Sequence, residues 1–174
     1  IPSSSPHDFD IISIEDATAP QSSATYEYDA RDFTFDGDYG FLLDARGLTI
    51  LHISDYVTLS KVSSLSLPNI AENIKIDYPY AYITNHDGFF IVDISIPDQP
   101  VQESMIYQPL YGEISFKGEL VAVSDGILHF IDVSDKENPC ILKHNYGEIK
   151  SRKAIFSRQY LFVADGGLSI YRVH

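Results

Sequence analysis

Five short apolar phrases recur along the chain: "FDIISI", "LTILHI", "FFIVDI", "LHFIDV" and "LSIYRV". They end at Ile14, Ile53, Ile94, Val133 and Val173, at intervals of 39, 41, 39 and 40 residues. A fixed beat of this length is the mark of a repeat architecture rather than of one irregular domain. In "FFIVDI" the alternation of a strand puts Phe89 and Ile91 on one face and Phe90, Val92 and Ile94 on the other. Both faces are then apolar, as a strand buried on two sides requires and a half-exposed antiparallel sheet does not.

The segments between the phrases keep the same period. An aromatic or apolar run and a Gly/Asp turn precede each of the last four phrases, in "YGFLLDARG", "YAYITNHDG", "LVAVSDG" and "YLFVADGG". A proline follows the first, third and fourth phrases in register, at Pro20, Pro100 and Pro139. In the copy from Asn73 to Ile106 the runs "NIKID", "YAYIT", "FFIVDI" and "VQESMI" are separated by short turns, which predicts four antiparallel strands joined by hairpins. Four such strands in about 40 residues make one blade of a β-propeller. Asp93 and Asp132, closing their strands just before a Ser and a proline turn, are placed to accept turn amides. Asp87, Asp125 and Asp165, each beside a glycine, read as hairpin-turn residues.

The period from Gly88 to Gly126, "GFFIVDISIPDQPVQESMIYQPLYGEISFKGELVAVSDG", closely resembles the LVIVD repeat. That resemblance extends over nearly the whole chain from Phe9 and implies an extracytoplasmic β-propeller. The second copy departs from it, with "ILHIS" where an aspartate is expected, and a longer loop is expected before "KAIFS" in the fourth.

The fold expected is therefore all-β: a small β-propeller of about four four-stranded antiparallel blades. Residues 1–8 form a tail or linker, and 9–174 a single domain with repeats at about 9–48, 49–88, 89–127 and 128–167 and a final strand over 168–174. Strand count allows the ring to be closed by its termini, with "SSATYEY" completing the blade begun by "KAIFS", "YLFVA" and "LSIYRV". The alternatives are a part of a larger ring, or a ring shared by two chains, with a monomer favoured.

Composition narrows the partners. Twelve basic against 25 acidic residues give a formal charge of -13, a field that repels nucleic-acid phosphates. No apolar run approaches the roughly 20 residues of a membrane-spanning helix. Cys140 is the only cysteine, which excludes an internal disulfide; beside Pro139 and Ile141 it is expected to pack as a small apolar group. The Ser/Pro-rich start fits the linker after a leader and, with the resemblance, points to a periplasmic, secreted or surface-lipoprotein location.

No nucleophile elbow, phosphate-binding loop or dinucleotide fingerprint occurs, and no pair of histidines has metal-ligand spacing. In a propeller the turns "DARG", "NHDG", "SDG" and "ADGG" share one face with the loops "EYDARD", "LPNIAEN", "YQPLYGE" and "NYGEIKS". That face gathers Tyr28, Asp32, Glu72, Asn73, His86, Tyr111, Glu113, Tyr146 and Glu148, with Arg31, Arg46 and Lys150. Tyrosines suit stacking on a sugar or peptide, and the carboxylates are of the type that holds Ca²⁺ or Mg²⁺. The reading from sequence is a non-enzymatic binding or scaffolding module for a protein, peptide or glycan, with no cofactor. The alternatives are a metal-dependent hydrolase using Asp32, Glu72, Glu113 and His86, and a segment of a larger propeller assembly.

Overall fold

The computed structural model describes residues 8–27, 29–55, 58–142 and 148–173, and among these every regular element is a strand. An N-terminal hairpin pairs β1 (Asp8–Ser13) with β2 (Gln21–Glu27). The first blade is the antiparallel sheet β3 (Asp32–Asp36), β4 (Tyr39–Asp44), β5 (Gly47–Asp55) and β6 (Thr58–Ser66). The second runs β7 (Ala71–Asp77), β8 (Tyr80–Asn85), β9 (Phe89–Asp93) and β10 (Val101–Ile106). In the third, β11 (Glu113–Lys117), β12 (Leu120–Ser124) and β13 (Gly126–Asp132) are followed by the short β14 (Cys140–Ile141), and β15 (Lys150–Ser151) also pairs with β13. The last sheet holds three strands, β16 (Lys153–Ser157), β17 (Tyr160–Ala164) and β18 (Leu168–Arg172).

The repeated phrase is the third strand of each blade, and the burial of β9 shows why it is apolar on both sides. Phe90, Val92 and Ile94 share a buried cluster with Phe41, Leu43, Leu48 and Ile50 of the first blade. Phe89 and Ile91 point the other way, into a second cluster with Val121, Val123 and Ile131 of the third. A third, smaller cluster joins Ala122 and Leu128 to Ala154, Leu161 and Val163. The core is thus three slabs between successive sheets, each filled from both sides.

The turn chemistry follows the sequence pattern. Asp93 accepts the Ser95 amide at 2.8 Å and Asp132 the Ser134 amide at 2.9 Å, so these aspartates tie down the turn after the phrase. In the "NHDG" turn, however, Asn85 is the residue that accepts two amides, from Asp87 and Gly88, at 2.8 and 2.9 Å. Asp87 instead accepts the Asn69 side chain at 3.3 Å.

Two expectations are corrected. Among the described residues β2 pairs with β1 alone and does not join β18, so the termini do not close the ring in the expected way. The connection from Ser13 to Gln21 is short and held by Asp16, whose carboxylate accepts the Thr18 amide at 2.9 Å. A local hairpin of this kind has far less loop-closure entropy to overcome than pairing across the whole chain. Cys140 is exposed rather than packed, because β14 is a two-residue edge strand. The loop expected before "KAIFS" falls largely outside the described residues; its end forms β15.

Tyr82 is almost fully buried and stacks on Phe89, with ring centroids 5.9 Å apart. Burial, with Asp77 nearby, pushes its hydroxyl up to about 12. Above pH 10 an unfolded chain releases this proton and the folded one keeps it, so stability falls as pH rises between 10 and 12. The loss should approach about 1.4 kcal/mol per pH unit. Tyr82→Phe is expected to flatten that alkaline limb in denaturant titrations; a limb of unchanged slope would contradict it.

Candidate ligand-binding site on the loop face

The loop from Tyr107 to Gly112 leaves β10 and enters β11, and two residues fix its path. Leu110 is wholly buried in the cluster between the second and third blades. Gly112 runs against the backbone of Ser124, and its carbonyl accepts the buried Thr84 hydroxyl at 3.0 Å. Tyr111, between them, is turned outward and is about half exposed. Its ring lies over His86 of the "NHDG" turn, centroid to centroid 4.8 Å.

Around this pair the face is polar and cross-braced. Glu72 lies 3.8 Å from the His86 imidazole Nε2 and 3.8 Å from the Arg31 guanidinium, linking the entries to the first and second blades. Asn73 donates from its side chain to the Tyr111 carbonyl at 3.1 Å. Asp32 accepts the Ile74 amide at 2.9 Å and the Phe33 amide at 2.9 Å, so it acts as a staple between blades. Ion pairs this exposed contribute little stability. Their effect is to hold side-chain tips in place on a rigid frame.

The structure brings Asp32, Glu72, Asn73, His86 and Tyr111 together, as the shared face of turns and loops requires. Glu113 is elsewhere, 3.4 Å from Lys153 of the last sheet. With Lys75, Ser115, Phe116 and Ile155 these two line an open cleft of about 310 Å³ along the first strands of the second, third and last sheets. Glu148 borders a separate depression of about 600 Å³, with Lys150 and Tyr171. Arg46 pairs only loosely with Asp44, at 3.9 Å. Tyr28 and Tyr146 lie outside the described residues. Lys75 and Lys153 were not among the expected site residues; the 40-residue spacing of Lys153 from Glu113 and the alternation of first-strand side chains were the signals that could have placed them in the cleft.

Among the described residues no three His, Cys, Asp or Glu side chains gather as a metal ion would need. The carboxylates proposed as ligands are instead committed separately, Asp32 to backbone amides, Glu72 to Arg31 and His86, and Glu113 to Lys153. An axial hydrolase site through Asp32, Glu72, Glu113 and His86 is therefore not assembled. His129 and Asp125, 3.1 Å apart and largely buried, form a separate pair within the third blade.

Successive four-stranded antiparallel sheets, packed face to face with their first strands side by side, define a β-propeller fold. Within that class the chain carries the LVIVD repeat, matched over residues 68–107 and 119–147. The solved structures it resembles include the following three. A protein from Lactobacillus plantarum superposes with a TM-score of 0.76 at 13% identity, over 92% of this chain and 59% of its own. Hsv2 of Kluyveromyces lactis gives 0.59 at 14%, over 83% and 46%, and the computationally designed Ika4 gives 0.60 at 14%, over 83% and 91%. At such identities the likeness concerns the fold alone. The chain spans about half the length of the two natural proteins. No curated protein matches the sequence. No helix is long and apolar enough to cross a membrane among the described residues.

Proposed function

We propose that the chain is a non-enzymatic binding or scaffolding module, extracytoplasmic in placement, whose loop face receives a protein, peptide or glycan. The observation that carries this reading is the His86–Tyr111 platform, exposed at its tips and fixed at its roots. Leu110, Gly112 and Asn85 hold the backbone beneath it, so little ordering entropy remains to be lost on binding. An aromatic surface flanked by Arg31, Glu72 and Asn73 offers stacking area together with donors and acceptors at its rim. The acidic surface and the repeat resemblance support the extracytoplasmic placement.

Screening the chain against peptide and oligosaccharide arrays tests the site. Tyr111→Ala and His86→Ala should each weaken any hit at least about tenfold, the effect of losing one well-packed anchor. The far-UV circular dichroism should not change. Hits that survive both substitutions would place recognition elsewhere on the molecule.

A further inference from the structure

The first strand of a blade gives one row of side chains to the core and turns the alternate row away from it. Ile74 of β7, Ile114 of β11 and Ala154 of β16 are buried in the three successive clusters. Their immediate neighbours Lys75, Ser115 and Ile155 belong to the alternate row and stand at one position of three consecutive repeats, 40 residues apart. Glu113 and Lys153, two residues earlier on β11 and β16, are likewise 40 apart. These five residues, with Phe116, line the open cleft of about 310 Å³ described above. Contact of β11 with β7 on one side and with β16 on the other bounds the cleft with described strands.

The charges of the cleft are unbalanced in the direction opposite to the chain's. Lys75 and Lys153 stand against Glu113 alone, a local positive excess in a chain of net charge -13. Glu113 is engaged by Lys153 at 3.4 Å. Lys75 is partly buried on its strand and, among the described residues, makes no hydrogen bond or ion pair. An ammonium partly withdrawn from water gains from an anionic partner. Ser115 accepts the Phe156 amide at 3.0 Å, which fixes its oxygen and leaves the hydroxyl proton to donate. Two ammonium groups and a hydroxyl thus line one cleft together with the Phe116 ring and the Ile155 side chain.

We infer that this cleft is a binding site for a small organic carboxylate, its anionic head held by Lys75, Lys153 and Ser115 and its apolar body against Phe116 and Ile155. The local positive excess suits a monoanion, whereas a dianion would be opposed by Glu113 and by the field of the acidic chain. The apolar side chains offer surface that an inorganic ion cannot use, and the volume lies at the small end of ligand cavities, which limits the size of the acid. The site is separate from the His86–Tyr111 platform, with which it shares no lining residue.

Titration of the full chain with hexanoate, followed through backbone amide shifts in NMR spectra, tests this, with the neutral hexanamide and sulfate as comparisons. Hexanoate should shift the Lys75, Ser115 and Ala154 amides saturably, with a roughly millimolar dissociation constant. Hexanamide and sulfate should bind at least about tenfold more weakly. Lys75→Gln and Lys153→Gln, on different strands and each checked for folding by circular dichroism, should each weaken hexanoate at least about fivefold. Lys61→Gln, at an exposed lysine of the first blade, should leave its affinity unchanged. Glu113→Gln releases Lys153 and should tighten hexanoate about threefold. Absence of saturable shifts at those amides overturns the proposal. So does hexanamide or sulfate binding as hexanoate does, or a folded Lys75→Gln or Lys153→Gln chain with the affinity of wild type.

Discussion

Replacing Gly112 with alanine is expected to cost the fold on the order of 3 kcal/mol, the upper part of the range for overpacking. A Cβ there would stand 1.9 Å from the Ser124 carbonyl oxygen and 2.6 Å from the Asp125 amide nitrogen. Both are backbone atoms of the third blade, so no side chain can swing aside to relieve the overlap. The loop must then lift, drawing Leu110 out of its cluster and Tyr111 off His86. Gly112→Ala should therefore lower the urea midpoint and also disturb the loop face. At Gly118, where an added Cβ would meet nothing within 4 Å but φ is +56°, the same change should cost only about 1 kcal/mol from backbone conformation. Equal effects at the two glycines would contradict the close packing of the loop on Ser124.

The second large effect concerns adjacent residues of the repeated phrase. Phe89→Ala and Phe90→Ala should each destabilise by about 3–5 kcal/mol, the usual cost of emptying a buried phenylalanine site. Neither side chain has any exposed surface, yet they point in opposite directions, Phe89 to the third blade and Phe90 to the first. In a sheet with one wet face only one of the two substitutions would be severe. Comparable losses in chemical denaturation are the expected result, and a loss below about 1 kcal/mol at either position would show that one slab of the core is not formed.

Much of this was legible in the sequence because repetition removes ambiguity. A single apolar run such as "FFIVDI" does not reveal whether it is strand or buried helix, but copies near 40 residues apart, with Gly/Asp turns and prolines in register, leave little besides a blade. The roles of Asp93 and Asp132, and the meeting of His86 with Tyr111 on one face, followed from the same alignment. Side-chain partners did not. Glu113 looked like a neighbour of Glu72 by repeat position, yet its partner is Lys153, one period further on: the beat joins each first strand to the next, but does not say toward which neighbour a given tip turns. That Leu110 and Gly112 would anchor the loop depended on backbone approaches between blades, whereas Asn85 organises the "NHDG" turn by local bonds to the Asp87 and Gly88 amides. Pairing of β1 with β2 was missed for a related reason: composition marks a segment as a strand without naming its neighbour.

The repeat as a structural unit is tested most directly by residue-resolved amide hydrogen exchange on the full chain. Protection should peak in β4–β5, β8–β9 and β12–β13, the middle pair of each blade, and fall in the loops between, so that maxima recur about every 40 residues. Protection that is flat along the chain, or whose maxima ignore that beat, would contradict the blade assignment on which the loop-face site rests.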